Sequence, residues 1–180
     1  MLNKFGVMGL AAVIALAPLT KFTSVVGLAQ ADQSTASTAS LVGSYKLVAS
    51  TRKMVDTGEV SDTYGKQPSG YINYSSDGRM LVLIVSDKND RPAPNSGVAP
   101  TDEQAAKLFR TMAAYGGTYE FDGRTVKHHV DMSWNQTWRG TTQIRDVQKD
   151  GDKLIYTTRP APSPIDGKMS VVTVVWQKVD

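Results

Sequence analysis

The chain has 180 residues, no cysteine, and 20 basic against 17 acidic side chains, a formal net charge of +3. Disulfides are unavailable, so any fold rests on packing, and the small charge excess provides no broad field to draw nucleic acid or an anionic membrane surface. Residues 1–31 hold two of the lysines and no acidic group, so 180 less 31 leaves 149 residues with 18 basic and 17 acidic side chains, enough for one domain with a sizeable core.

Residues 1–31 read as a secretory signal peptide. Lys4 gives a short positive start, residues 5–20 are almost continuously apolar, and Ala29-Gln30-Ala31 offers the small-x-small pattern of a cleavage site. The apolar run before Lys21 is shorter than the roughly 20 residues that span a bilayer, so cleavage and export, to a periplasm or the outside medium, are expected rather than a lasting membrane span. Residues 32–40 are small and polar, a flexible leader with too little apolar surface to offset ordering entropy. One domain then fills residues 41–180.

Strands are predicted over residues 41–50 and, less strongly, 59–64. The first clear hairpin joins 70–75 to 79–86 around Asp77-Gly78, because Asp-Gly readily supplies the positive φ of a tight reversal. Residues 80–85 are apolar at every position, which predicts a strand buried on both sides and covered by another element. A proline-rich loop at 89–100 leads to the one persuasive helix. Thr101 with Gln104 makes its opening cap, and Gly116-Gly117 is its expected stop. Ala105, Leu108, Phe109, Met112 and Tyr115 form its apolar stripe, so it should dock on the sheet or over a barrel mouth, where it could serve as a lid.

Strands follow at 118–121, 125–133, 138–147, 153–159 and 168–179, punctuated by Asp122-Gly123, Asp150-Gly151 and Asp166-Gly167, with Pro160, Pro162 and Pro164 stiffening the last connection. The expected fold is therefore all-β: a single antiparallel up-and-down barrel of about 8–10 strands, with one helix over or near a mouth, since closure covers the apolar faces and removes exposed edges.

Several segments together resemble the bacterial and fungal lipocalin-like domain proteins. They are Leu41-Val42-Gly43-Ser44-Tyr45-Lys46-Leu47, Gly70-Tyr71-Ile72-Asn73-Tyr74 with Asp77-Gly78-Arg79-Met80, Tyr115-Gly116-Gly117-Thr118-Tyr119, Val126-Lys127-His128-His129-Val130, Trp138-Arg139-Gly140-Thr141-Thr142-Gln143 and Val174-Val175-Trp176. The resemblance implies a calycin-type barrel and brings no catalytic motif with it.

His128 and His129, the chain's two histidines, must point to opposite faces if they lie on a strand. Val126, Val130 and Met132 share the side of His128, which makes His128 the inward one, a hydrogen-bonding group or a candidate acid or base. An inward His129 would instead bring Lys127 and Asp131. The His129-x-Asp131 pair lacks the further donors a zinc site needs, so no metal is expected. Nor is any other cofactor, because phosphate-loop, dinucleotide and G-x-S-x-G patterns are missing.

Tyr71, Tyr74, Trp134, Trp138 and Trp176 are candidates to line a cavity with apolar area and a polar tip. Arg145 would select an acidic group if it faced inward. The pattern slightly favours Ile144 as the inner contact, which turns Arg145 to water. The expected function is binding of a small apolar or amphipathic molecule, for carriage or sequestration. The alternatives are an isomerase, cyclase or dehydratase using His128 with Tyr71 or Tyr74, and a filled barrel serving only structure or protein contact.

Overall fold

The computed structural model describes residues 41–92, 99–163 and 166–179. The signal segment 1–31, the leader 32–40, the centre of the proline-rich loop and Pro164 lie outside the described residues. Ten strands and one α-helix follow in order: β1 (Gly43–Met54), β2 (Val60–Asp62), β3 (Ser69–Tyr74), β4 (Arg79–Val85), α1 (Asp102–Arg110), β5 (Met112–Phe121), β6 (Thr125–Ser133), β7 (Thr142–Asp150), β8 (Lys153–Thr157), β9 (Ala161–Pro162) and β10 (Met169–Lys178).

The strands form a closed, antiparallel eight-stranded barrel in the order β1-β3-β4-β5-β6-β7-β8-β10, sealed by β10 returning to β1. Short β2 and β9 pair outside that cycle with β1 and β10. Three Asp-Gly pairs close the β3–β4, β5–β6 and β7–β8 hairpins at one end, with Gly78, Gly123 and Gly151 at φ 82°, 94° and 57°. The long connections, α1 included, gather at the other end, the mouth. The fourth pair, Asp166-Gly167, turns the small β9–β10 reversal there.

Alternation sends Tyr45, Leu47, Ile72, Tyr74, Met80, Val82, Ile84, Tyr119, Phe121, Val126, Val130, Leu154, Tyr156 and Trp176 inward as one buried cluster. At roughly 25 cal/mol per Å² of apolar surface removed from water, such a cluster supplies the main driving force for closure.

The structure corrects three expectations. Strand β4 is not covered outside: Met80, Val82 and Ile84 are buried, whereas Leu81 and Leu83 stay 47% and 46% exposed. Helix α1 is shorter than expected and does not lie over that face. Thr101 and Gln104 do form the capping box, but the helix ends at Arg110, and Met112 and Tyr115 belong to β5. There the pairings Val85 with Met112 and Val82 with Tyr115 exchange a weak helical stripe for a full ladder. Gly116-Gly117 therefore lies inside a strand, at a bulge where Asp131 of β6 is the extra residue between the partners of Gly116 and Gly117. That bulge shifts the phase of β6, so Met132 is 52% exposed instead of sharing the inner side with His128.

Candidate functional site

The barrel encloses a polar chain within its apolar interior. His128 is fully buried on the inner face of β6. Its Nε2 lies 2.7 Å from the Tyr74 hydroxyl of β3 and its Nδ1 3.0 Å from the Tyr115 hydroxyl of β5. Tyr156 of β8 donates to the Tyr74 hydroxyl at 3.0 Å. Four strands thus converge on one imidazole, and every ring nitrogen has a partner.

Burial decides the protonation. A charged imidazole would pay heavy desolvation here, and the Arg145 charge and His129 add to that, lowering the His128 pKa to about 3. The same burial raises Tyr74, Tyr115 and Tyr156, so at neutral pH all four groups are uncharged. Three hydroxyl hydrogens and one ring N–H then serve three internal hydrogen bonds. The imidazole tautomer sets to which tyrosine the ring donates and from which it accepts. In either arrangement one hydroxyl hydrogen is left over, on Tyr115 when Nδ1 carries the proton and on Tyr74 when Nε2 does. The relay thus holds one spare donor.

Aromatic side chains connect this relay to the mouth. Tyr115 meets Trp138 edge-on at 5.5 Å between ring centroids, Trp138 meets Trp134 at 4.9 Å, and Trp134 faces Phe109 of α1 at 6.3 Å. Trp134 precedes and Trp138 ends the short helical turn Gln136–Trp138, fixed by Asn135, whose side chain accepts from the Thr137 amide. Arg91 anchors the end of α1, donating to the Thr111 carbonyl at 2.8 Å and to Leu108 at 3.4 Å, where a cation also complements the helix dipole. Tyr64 is brought in by the loop before β3, through the Asp87 amide bonded to its carbonyl. Burial pushes its hydroxyl up to about 12, with Tyr115 adding to the rise and Arg145 opposing it.

Ser133, Trp134 and Trp138 near the mouth, and Gln143 and Arg145 on the inner face of β7, are only partly buried, unlike the hairpin end. A closed antiparallel barrel with a buried polar chain inside is the architecture on which a comparison with known families can be weighed. The profile of the lipocalin-like domain matches residues 42–179. The chain belongs to the lipocalin-like domain family. It is also similar to the 4'-hydroxy-3'-methoxypropiophenone carrier protein of Aspergillus oryzae, 36% identical over 87 residues that make up 44% of this chain and 78% of that protein.

Within this lipocalin-like barrel the expected residues separate into groups. Tyr74 and His128 meet in the relay, and Trp134 and Trp138 stand above it. Trp176 is buried between Leu47 and Leu154, its Nε1 without a partner among the described residues. Tyr71 lies on the outer wall, 48% exposed and paired with Leu83, because Ile72 and Tyr74 take the inner phase of β3. Arg145 reverses the expectation: it is opposite fully buried Val126, so it faces inward, and Ile144 pairs with exposed Lys127 on the outside.

His129 is outside as well, bonded to Glu120 at 3.0 Å and Thr142 at 3.0 Å, while Asp131 pairs with Arg79 at 2.8 Å. Sequence reasoning missed Tyr115 and Tyr156. In sequence Tyr115 fits the helix stripe, and the signal for Tyr156 is its alternation with Leu154, which marks an inner face without marking a polar partner.

Proposed function

We propose that this lipocalin-like protein is exported and that its barrel carries or sequesters a small, partly apolar molecule, entering past α1 and Trp138. The observation that carries this reading is the Tyr156–Tyr74–His128–Tyr115 relay: a neutral, buried chain with one spare donor, set under an aromatic column. An aromatic guest with an oxygen acceptor would match both parts, the rings stacking edge-on with Trp138 and Trp134 and the acceptor taking the relay's spare hydrogen. The similarity to a carrier of a phenolic aryl ketone supports the same chemistry.

Catalysis by His128 has less support. Both its nitrogens are engaged, and with a pKa near 3 it is a poor proton acceptor at neutral pH.

Mass spectrometry of extracts from natively purified protein is expected to release an apolar or amphipathic compound. Titration with 4'-hydroxy-3'-methoxypropiophenone, followed by tryptophan fluorescence, is expected to saturate. Trp138→Ala should weaken binding about tenfold, or about 1.4 kcal/mol, for loss of one aromatic wall. A barrel that yields no compound and binds none overturns the reading. For export, amino-terminal sequencing of the protein outside the cytoplasm is expected to begin at Asp32, and a chain retained in the cytoplasm with Met1 in place contradicts it.

A further inference from the structure

Arg145 stands on the inner wall yet is not neutralised there. Among the described residues its guanidinium makes one hydrogen bond, to the Ile144 carbonyl at 2.9 Å, and no carboxylate lies within ion-pair distance. Arg52, whose side chain is 13% exposed, shows how the fold otherwise treats such a group: it is held by Asp166 at 2.6 Å and Ser163 at 3.1 Å. A guanidinium has five N–H donors, most of which are unspent at Arg145. Its charge reaches inward, bearing on the titration of Tyr64, Tyr74, Tyr115 and His128. None of these neutral groups offers it a compensating negative charge.

An arginine turned into an apolar barrel without an acid is costly unless something supplies the anion. Guanidinium pairs best with planar oxyanions, through two parallel hydrogen bonds. The one spare hydroxyl hydrogen of the relay gives a third donor for such a group.

We propose that Arg145 sets the specificity of the cavity, selecting guests that carry a carboxylate or similar oxyanion on an apolar or aromatic body. The anion pairs with Arg145 and accepts the relay's spare hydroxyl hydrogen, and the body lies against Trp138 and Trp134. This inference rests on the carrier reading and narrows it to organic acids.

The test uses a matched pair of probes, 2-naphthylacetate and its uncharged amide, titrated into the protein by calorimetry. The acid is expected to bind at least about tenfold more tightly than the amide. Arg145→Gln should bring that ratio to about one, while Arg145→Lys, which keeps the charge and loses the fork, should retain part of it. Near-ultraviolet circular dichroism of each variant checks that the aromatic interior is intact. If acid and amide bind the wild type equally, or if Arg145→Gln keeps the preference, the role of Arg145 is overturned while carriage stands. If neither probe binds, both the carrier reading and this inference fail for compact aromatic guests.

Discussion

Acidification from pH 7 to about 3 is expected to remove roughly 3–5 kcal/mol of folding stability through His128 alone. The sign follows from the lowered pKa. In the unfolded chain an imidazole takes a proton near pH 6.5, but in the folded barrel His128 does so only near 3. Between those values the unfolded state binds the extra proton, so stability is complete above about 6.5 and falls as the pH drops through the window.

The groups facing His128 are the hydroxyls of Tyr74, Tyr115 and Tyr156, which stay neutral throughout, and the Arg145 cation, which opposes protonation. No carboxylate is bonded to the ring among the described residues. Urea unfolding at a series of pH values measures the limb. His128→Gln can replace both hydrogen bonds without titrating, so it should cost about 1–3 kcal/mol at pH 7 and flatten the limb between 6.5 and 3. An unchanged slope in that variant would assign the acid sensitivity to carboxylates instead.

Gly117→Ala is expected to destabilise the barrel by at least about 3 kcal/mol or to prevent folding, through clash and displaced backbone. A Cβ at Gly117 would collide with the carbonyl oxygen of His129 and stand 3.1 Å from the Asp131 amide nitrogen. The backbone there cannot yield cheaply, because Gly117 faces Val130 directly beside the Asp131 bulge, where β5 and β6 approach closely. Gly116 is the control: its Cβ would meet the Met80 carbonyl at 3.1 Å and the movable Leu81 side chain at 3.2 Å, so Gly116→Ala should cost about 1 kcal/mol. Comparable midpoints for the two variants in thermal unfolding would mean that the bulge is soft and that the collision does not control the fold.

These expectations concern features of unequal visibility in the sequence. Strand β6 was legible to the residue as 125–133, and His128 was correctly turned inward because Val126 and Val130 accompany it. Met132 continues the same alternation in sequence but is turned outward, since a bulge is created by mismatch between two strands and leaves no mark in one. The inward turn of Arg145 is hidden in the sequence for a related reason. Gln143, Arg145 and Val147 share one face and Ile144 the other, but which face is inner depends on pairing with Val126, a residue 19 positions earlier. Tyr115 fitted a helical spacing of three and four as well as a strand's alternation, and only the ladder with β4 decided between them.

The sequence alone determined the hairpins, the helix with its Thr101 cap, the closed all-β barrel and the burial of His128. Each of these rests on local chemistry: glycine's freedom at positive φ, a side chain bonding the amide three residues on, and apolar side chains alternating along a strand. Tertiary structure alone decided that Tyr74, Tyr115 and Tyr156 meet around that imidazole, that Tyr71 points to water, and that Arg145 looks inward without an acid. Those outcomes depend on the relative register of strands distant in the chain, where one bulge reverses every side chain beyond it.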